Sequence, residues 1–228
     1  MSVYAFVFAR GGSKGLPGKN IRLLSDVPLV GHSIQLARQL SAVKKIYVST
    51  ESAEIAAVAS EYGAQVIQRP EELATDTAPE WLAWQHAINH LRSRGEDFDI
   101  FLSLPTTSPL RSVDDVKRCL MAFDEHTDAV VTVTPSARSP YFNMVTRGPD
   151  GETEIVIKSG DIRRRQDAPA VYDMTTVAYV LRPDFILSST GLFAGRVRSI
   201  IVPKERAVDV DDAFDFLIAE SLFKASAR

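Results

Sequence analysis

Short apolar runs alternate with segments of helical periodicity along most of this chain, and that alternation restricts the fold more than any other feature. Runs of five or six apolar and β-branched residues occupy positions 3–8, 45–50, 64–68, 99–104 and 128–133. They lack the in-out alternation of half-exposed strands, which is typical of strands buried on both faces of a parallel sheet. Between them, apolar residues recur at helical spacings of three and four in 29–40, 53–63, 79–94 and 113–126. The sequence therefore predicts an α/β fold, a doubly wound and mostly parallel sheet with helices on both faces.

Local helix signals agree with this pattern. Thr77 to Glu80 has the spacing of a capping box with a proline in the first turn, and Ser112 to Asp115 is a variant in which Asp replaces Glu. Gly63 follows the second periodic segment, where a glycine commonly ends a helix. We expect these three positions to mark helix ends.

The alternation is interrupted after Thr134. Residues 135–170 are rich in proline, glycine and arginine, and the turn sequence Gly-Pro-Asp-Gly at 148–151 separates two short β-like runs. Two strand-like runs, 176–181 and 198–202, and a last helical segment, 211–225, follow. We expect one domain over residues 1–228, with a hairpin-containing insertion at about 135–170.

Composition excludes several classes of protein. A formal net charge of −3 and a pI near 5.8 argue against a partner that is nucleic acid or a membrane surface. Cys119 is the only cysteine, so no intrachain disulfide forms and a reducing compartment is favoured. No run approaches the roughly 18 apolar residues of a membrane span. A cytoplasmic location is the expectation.

The first strand is followed by a loop, residues 9–20, with the sequence ARGGSKGLPGKN. Its four glycines let backbone N–H groups turn toward an anion, and Arg10, Lys14 and Lys19 supply charge-assisted bonds to phosphate. The spacing fits neither GxxxxGK[ST] nor GxGxxG, which disfavours a P-loop ATPase and a dinucleotide-binding dehydrogenase. The alternative is a mobile surface loop with solvated lysines.

Three further stretches carry chemistry. Thr106, Thr107 and Ser108 lie between prolines after the fourth strand, where their hydroxyls are placed for a sugar or phosphate, or where they form only a capped loop. Three arginines in 161–169 suit carboxylates or phosphates, or form an exposed charged face. Arg69 is either a base or phosphate contact or a loop cation.

An acidic stretch near the end of the chain suits a metal. In extended backbone Asp209 and Asp211 point to the same side and offer hard oxygen ligands to Mg²⁺, which takes its remaining ligands from phosphate and water. The alternative is that Asp211 or Asp212 caps the last helix.

Taken together, these motifs resemble those of CMP-sialic acid synthetases, the acylneuraminate cytidylyltransferases. The likeness extends through 9–21, 49–64, 69–78, 105–111, 163–169 and 208–212, in family order over nearly the whole chain. It implies a Rossmann-like nucleotidyltransferase that joins CTP to a nine-carbon or eight-carbon 2-keto sugar acid and releases pyrophosphate. It also implies a homodimer through the 135–170 insertion, with one subunit covering its partner's site.

The resemblance implies roles for individual residues. Arg10, Lys14 and Lys19 would be catalytic and would neutralise the triphosphate, and Asp209 and Asp211 would bind Mg²⁺. The nucleotide would be held by Gly11, Gly12, Ser13, Asn20, Arg69 and Asp76. The sugar acid would be held by Thr106, Thr107, Ser108, Arg165, Gln166 and Tyr179.

Two departures from the family pattern lie on the sugar side. Pro105 replaces a glutamine, and Thr175, Thr176 and Val177 replace Asn-Gly-Ala. Because the nucleotide and metal motifs are intact, cytidylyl transfer is better supported than any particular acceptor. Two alternatives stay open: a sugar-1-phosphate nucleotidyltransferase, and a non-catalytic nucleotide-binding module.

Overall fold

The structure is a computed structural model and describes residues 1–158, 160 and 162–226. Its strands are β1 (Val3–Phe8), β2 (Leu23–Leu24), β3 (Val27–Pro28), β4 (Val43–Thr50), β5 (Gln65–Gln68), β6 (Ile100–Ser103), β7 (Ala129–Pro135), β8 (Val145–Arg147), β9 (Thr153–Ile155), β10 (Tyr172–Leu181) and β11 (Val197–Ile201). Its α-helices are α1 (Leu29–Arg38), α2 (Ala53–Glu61), α3 (Glu80–Arg92), α4 (Val113–Met121), α5 (Pro183–Ser188) and α6 (Ala213–Ser226).

Seven strands form the central sheet, in the order β11-β7-β10-β6-β1-β4-β5. All neighbouring pairs are parallel except the two that β10 makes with β6 and β7. The prediction of a mostly parallel sheet is therefore confirmed, with β10 as its reversed strand. Because β10 runs antiparallel to its neighbours, it begins at the edge of the sheet where β1 and β6 end.

Helices cover both faces of this sheet. Along β1, Ala5 and Val7 face a core that also holds side chains of α1, α2 and α4, whereas Tyr4 and Phe6 face a second core that includes α3 and α5. Successive side chains of a strand point to opposite faces, so a strand that is apolar at every position is buried on both sides. This arrangement confirms the doubly wound prediction.

The insertion contains the predicted hairpin. Strands β8 and β9 pair antiparallel around the turn at 148–151, and Val145 lies opposite Ile155. Ser159 and Asp161, which belong to the predicted insertion and arginine stretch, lie outside the described residues. Strand β10 begins four residues earlier than the predicted run at 176–181, and α5 was not predicted.

Two of the three helix-end predictions are confirmed and one is wrong. Ser112 and Asp115 form a reciprocal capping box at the start of α4, and Gly63 has a φ of 87° just beyond α2. Thr77 does not cap α3; Pro79 is the N-cap residue, and α3 has no side-chain capping hydrogen bond at that position. The carboxyl of Glu80 instead accepts a hydrogen bond from Trp84 Nε1 at 3.2 Å, so it does not reach back to the helix start.

Within the described ranges, none of the helices is long and apolar enough to cross a membrane.

Candidate active site

A cleft of about 550 Å³ opens at the edge of the sheet where the parallel strands end. Its walls come from the loops after β1, β5 and β6 and from the segment between β11 and α6. Doubly wound sheets bind ligands at this edge because loops from neighbouring strands converge there. The sequence-predicted residues that line it are Arg10, Ser13, Lys14, Lys19, Asn20, Arg69, Asp76, Thr106, Thr107, Asp209 and Asp211.

The glycine-rich loop is held against the acidic stretch by apolar packing and by one close backbone contact. Leu16 is buried in a small cluster with Val210 and Phe216. A Cβ atom at Gly15 would lie 2.5 Å from the backbone oxygen of Asp211, so the position requires glycine. Two motifs almost 200 residues apart in sequence therefore face each other across the cleft.

All three predicted phosphate-binding cations pair with carboxylates. Arg10 Nη1 lies 2.7 Å from Asp76 Oδ1, and Lys14 Nζ contacts the other oxygen of the same carboxylate. Lys19 Nζ lies 3.1 Å from Asp211 Oδ1. Hydrogen bonds from Lys14 and then Arg10 lower the pKa of Asp76 below its ordinary value, although partial desolvation opposes them. The cleft thus brings cations and carboxylates together in equal numbers.

Asn20 links the glycine loop to the loop after β6. Its amide nitrogen donates to the Arg10 carbonyl at 2.8 Å, and its amide oxygen accepts from Thr106 Oγ1 at 2.5 Å. Asn20 and Thr106 are both buried, so each of these bonds satisfies a polar group that water does not reach. In this structure Asn20 braces the wall of the cleft.

Arg69 is buried at the end of β5, although its side chain carries a charge. Its Nε donates to Ser49 Oγ at 3.1 Å and its Nη2 to the Ser49 carbonyl at 2.6 Å, and the guanidinium lies over the Phe8 ring. Desolvation by burial lowers the pKa of Arg69. These bonds fix the guanidinium in one orientation, facing the cleft.

Hydrogen bonds to β10 and from Arg111 fix the hydroxyl-rich loop after β6. Thr107 and Ser108 both bond the Thr176 hydroxyl of β10, at 3.2 and 2.7 Å. Arg111 is buried; it donates from Nε to the Ser108 carbonyl at 2.8 Å and from Nη2 to the Pro105 carbonyl. Burial lowers the pKa of Arg111 to about 9, and Asp209 is the first of the groups that oppose this shift.

The four acids of the terminal stretch separate into two pairs. Asp212 Oδ1 accepts from the backbone of residues 214 and 215, and Asp215 Oδ2 accepts in return from the N–H groups of Asp211 and Asp212. The capping alternative is thus confirmed for Asp212. Asp209 and Asp211 face the cleft, and Asp209 Oδ1 is buried without a hydrogen-bond partner among the described residues.

Hard oxygen donors of this kind suit a magnesium ion. A buried carboxylate oxygen without a partner is costly, and a cation beside it would remove that cost. Mg²⁺ takes only one or two protein carboxylates and completes its shell with phosphate and water. Two carboxylates fit that requirement, and the described part of the chain contains no group of three or more His, Cys, Asp or Glu arranged to hold a metal.

The remaining predicted residues do not line the cleft; they are Gly11, Gly12, Ser108, Tyr179, Arg165 and Gln166. The Gly11 N–H donates to Glu51 Oε1 at 2.6 Å. Tyr179 is buried against Trp84, and desolvation, with Glu80 and Asp209 nearby, raises its pKa to about 12. Arg165 and Gln166 are exposed in a short 3-10 helix of the insertion.

Among the cleft residues that sequence reasoning missed are the polar side chains of Thr75, Glu80 and Thr176. The surrounding protein raises the pKa of Glu80 by desolvation, against the opposing effects of Trp84 and Arg69. The sequence pattern around Glu80 is typical of a helix cap. The clue to its actual hydrogen bond was the tryptophan four residues later. The signal for Thr176 was its departure from the family pattern.

Fold and cleft together define an α/β protein with a cleft at its strand ends, between a basic loop and two carboxylates. The family model described as "Cytidylyltransferase" matches residues 4–138. The chain therefore belongs to the cytidylyltransferase family and is a nucleotidyltransferase enzyme.

Similar proteins agree with this assignment. The chain is 36% identical over 223 residues to "Post-translational flagellin modification protein B" of Campylobacter coli, covering 96% of this chain and 93% of that protein. It is 34% identical to a CMP-N,N'-diacetyllegionaminic acid synthase of Campylobacter jejuni, covering 95% and 92%. A solved CMP:2-keto-3-deoxy-manno-octonic acid synthetase complexed with CTP shares the fold, with a TM-score of 0.76, 14% identity, and coverage of 99% of this chain and 100% of that one.

Proposed function

We propose that this enzyme transfers CMP from CTP to the anomeric hydroxyl of a nine-carbon 2-keto sugar acid and releases pyrophosphate. The observation that carries the proposal is the cleft itself: a loop with three cations faces two carboxylates across a space of nucleotide size. The relatives named as CMP-N,N'-diacetyllegionaminic acid synthases, at 34% and 30% identity over at least 95% of the chain, support the acceptor class.

The chemistry asks for orientation and charge neutralisation rather than a covalent nucleophile. The anomeric oxygen of the sugar acid forms a bond to the α-phosphorus, the bond from that phosphorus to the bridging oxygen breaks, and the hydroxyl proton leaves to solvent or a nearby base. Negative charge grows on the departing pyrophosphate. Arg10, Lys14 and Lys19 are placed to stabilise that charge because they surround one side of the cleft.

Asp209 and Asp211 are the residues that would hold Mg²⁺. Bound there, the ion would neutralise phosphate oxygens and orient the triphosphate. Lys19 already contacts Asp211 at 3.1 Å, so it stays close to whatever the carboxylate holds. The proposal assigns the nucleotide to Ser13, Asn20, Arg69 and the glycine loop.

The acceptor is assigned to the wall formed by Thr106, Thr107 and Thr176. The three hydroxyls bond one another or the loop, so their positions are fixed before any ligand arrives. Pro105 presents no side-chain donor, which favours an acceptor recognised at this wall by hydroxyls and by shape. Legionaminic-type acids are therefore the first to test.

The proposal includes a homodimer that works in the cytoplasm. Apolar side chains are exposed on the insertion, at the start of β10 and in the short helix before β11, notably Phe142, Met144, Tyr172, Met174 and Phe193. An exposed apolar surface of this kind is typical of a protein interface. The partner's insertion would bring Arg165 and Gln166, which lie outside their own cleft, to the sugar acid in the other subunit.

Product mass provides the test. The purified chain is incubated with Mg²⁺, each of the four ribonucleoside triphosphates, and a panel of eight-carbon and nine-carbon 2-keto sugar acids and sugar-1-phosphates. We expect a CMP adduct with a nine-carbon keto acid. A nucleoside diphosphate sugar formed from a sugar-1-phosphate would support the competing activity, and CTP binding without any adduct would support a non-catalytic module.

A further inference from the structure

Asp76 contacts two of the cations that the proposed function assigns to the triphosphate. Arg10 and Lys14 both lie on the glycine-rich loop, and Asp76 lies opposite them on the loop after β5. The three charged groups line the same cleft. The two oxygens of one carboxylate thus pair with the cations that would otherwise face a ligand.

Another anion can replace Asp76 in these two ion pairs. The Lys14 side chain is 82% exposed, and those of Asp76 and Arg10 are 37% and 33% exposed, so water reaches both ion pairs. Ion pairs at such positions contribute little to stability and are readily replaced by another anion. A phosphate group offers the same cations more charge and more acceptor oxygens than a carboxylate does.

We propose that Asp76 is an internal substitute for phosphate, which holds Arg10 and Lys14 in the empty site and takes them back as pyrophosphate leaves. This inference rests on the proposed function and assigns Asp76 a role different from direct contact with the nucleotide. The carboxylate keeps the two cations oriented toward the cleft. It also competes with bound phosphate, which weakens the hold of the site on its product.

Pyrophosphate binding in the absence of Mg²⁺ tests the competition without any turnover. Isothermal titration compares the wild type with Asp76→Asn, which keeps the size of the side chain and removes its charge. We expect the variant to bind pyrophosphate between about twofold and tenfold more tightly, because two exposed ion pairs no longer have to be broken. Equal or weaker binding by the variant would overturn the inference.

Glu72→Gln is the matched control. Glu72 is an exposed acid on the same loop, its replacement changes the net charge equally, and the described residues give it no ion pair with the loop cations. We expect its pyrophosphate affinity to match the wild type; a gain equal to that of Asp76→Asn would assign the effect to overall charge and overturn the proposal.

A double variant tests whether Asp76 acts through its partners. With Lys14→Met in place, one of the two ion pairs is already absent, so Asp76→Asn should bring a smaller gain than it does alone. An undiminished gain would contradict the mechanism. Absence of pyrophosphate binding in the wild type would overturn the polyphosphate site, and with it the proposed function as well.

Discussion

Asp209 and Asp212 are three positions apart, yet their surroundings differ completely. Asp212 accepts two backbone hydrogen bonds at the start of α6, whereas Asp209 Oδ1 is buried without a partner in the described structure. A satisfied cap contributes to folding, and an unsatisfied buried oxygen costs stability. We therefore expect Asp209 to matter for function and Asp212 to matter for stability.

Replacing each of these aspartates by asparagine should show that separation. Asp209→Asn should lower turnover at least about a hundredfold, because the proposed metal and phosphate lose a charged ligand, and should leave the protein as stable as before. Asp212→Asn should keep turnover within about twofold and destabilise by at most about 1 kcal/mol, since asparagine still caps. Denaturant unfolding and CTP turnover, measured on both proteins, check the pair; equal loss of turnover in the two would contradict the assignment.

The sequence predicted residue types better than residue contacts. The three loop cations and the two aspartates were found from composition and spacing, and the structure brings all five to one cleft. The pairing of Asp76 with Arg10 and Lys14 had no sequence signal, because the partners are more than 60 residues apart. Glu80 was missed for a different reason: the pattern at the helix start suggested a cap, whereas its carboxyl accepts a hydrogen bond from Trp84, one turn later in the same helix.

At the scale of elements, the segment that carries the two aspartates is anchored to a helix. Arg206 bonds the buried carboxylate of Asp115 through Nε at 2.8 Å and Nη2 at 2.9 Å. Burial disfavours the charged form of Asp115, but the bonds from Arg206 and Ser112 outweigh it and lower the pKa. The stabilisation is therefore present above the unfolded carboxyl pKa of about 4 and is lost as pH falls through the lower folded pKa.

Cutting this anchor should lower turnover as well as stability, because the buried carboxylate of Asp115 loses its ion-pair partner. Arg206→Met should lower kcat about tenfold with a smaller change in KM for CTP, because Asp209 lies three residues along the same segment. Arg206→Lys should restore part of the loss. Arg198→Met removes a more exposed ion pair, to Asp124, on the distant strand β11 and should leave kcat unchanged; equal loss of kcat in the two methionine variants would argue against positioning by Arg206.

The elements themselves were largely predictable. Runs that are apolar at every position became parallel strands, and segments of helical period became helices, since burial pattern determines both. The predicted β10 is too short because the first residues of the strand are exposed and carry no burial pattern. These residues are Tyr172, Asp173 and Met174. Helix α5 has only six residues, too few to show a period.

At the scale of the whole molecule, exposed aromatic side chains distinguish two surfaces. Phe193 is 73% exposed beside the apolar strands β10 and β11, near the insertion, and Phe214 is 69% exposed on α6. The first lies beside exposed apolar side chains of β10, a surface that the proposal assigns to a dimer interface. The second serves as its control.

Phe193→Asp should therefore convert a dimer into a monomer. Light scattering coupled to size exclusion should give twice the 25.1 kDa chain mass for the wild type and for Phe214→Asp, and the single mass for Phe193→Asp. A charged side chain in the core of an interface is costly, whereas on an open surface it is tolerated. A monomeric wild type, or dissociation by both variants, would contradict the assignment.

Pyrophosphate release, followed continuously as a function of both substrates, tests the account most directly. With CTP and Mg²⁺ present, release should depend on a nine-carbon 2-keto sugar acid and should equal the CMP-sugar formed, mole for mole. It should be abolished in Asp209→Asn and kept in Asp212→Asn. Release of pyrophosphate at the same rate without the sugar acid, or none with any acid tested, would contradict the claim that this cleft joins CMP to a keto sugar acid.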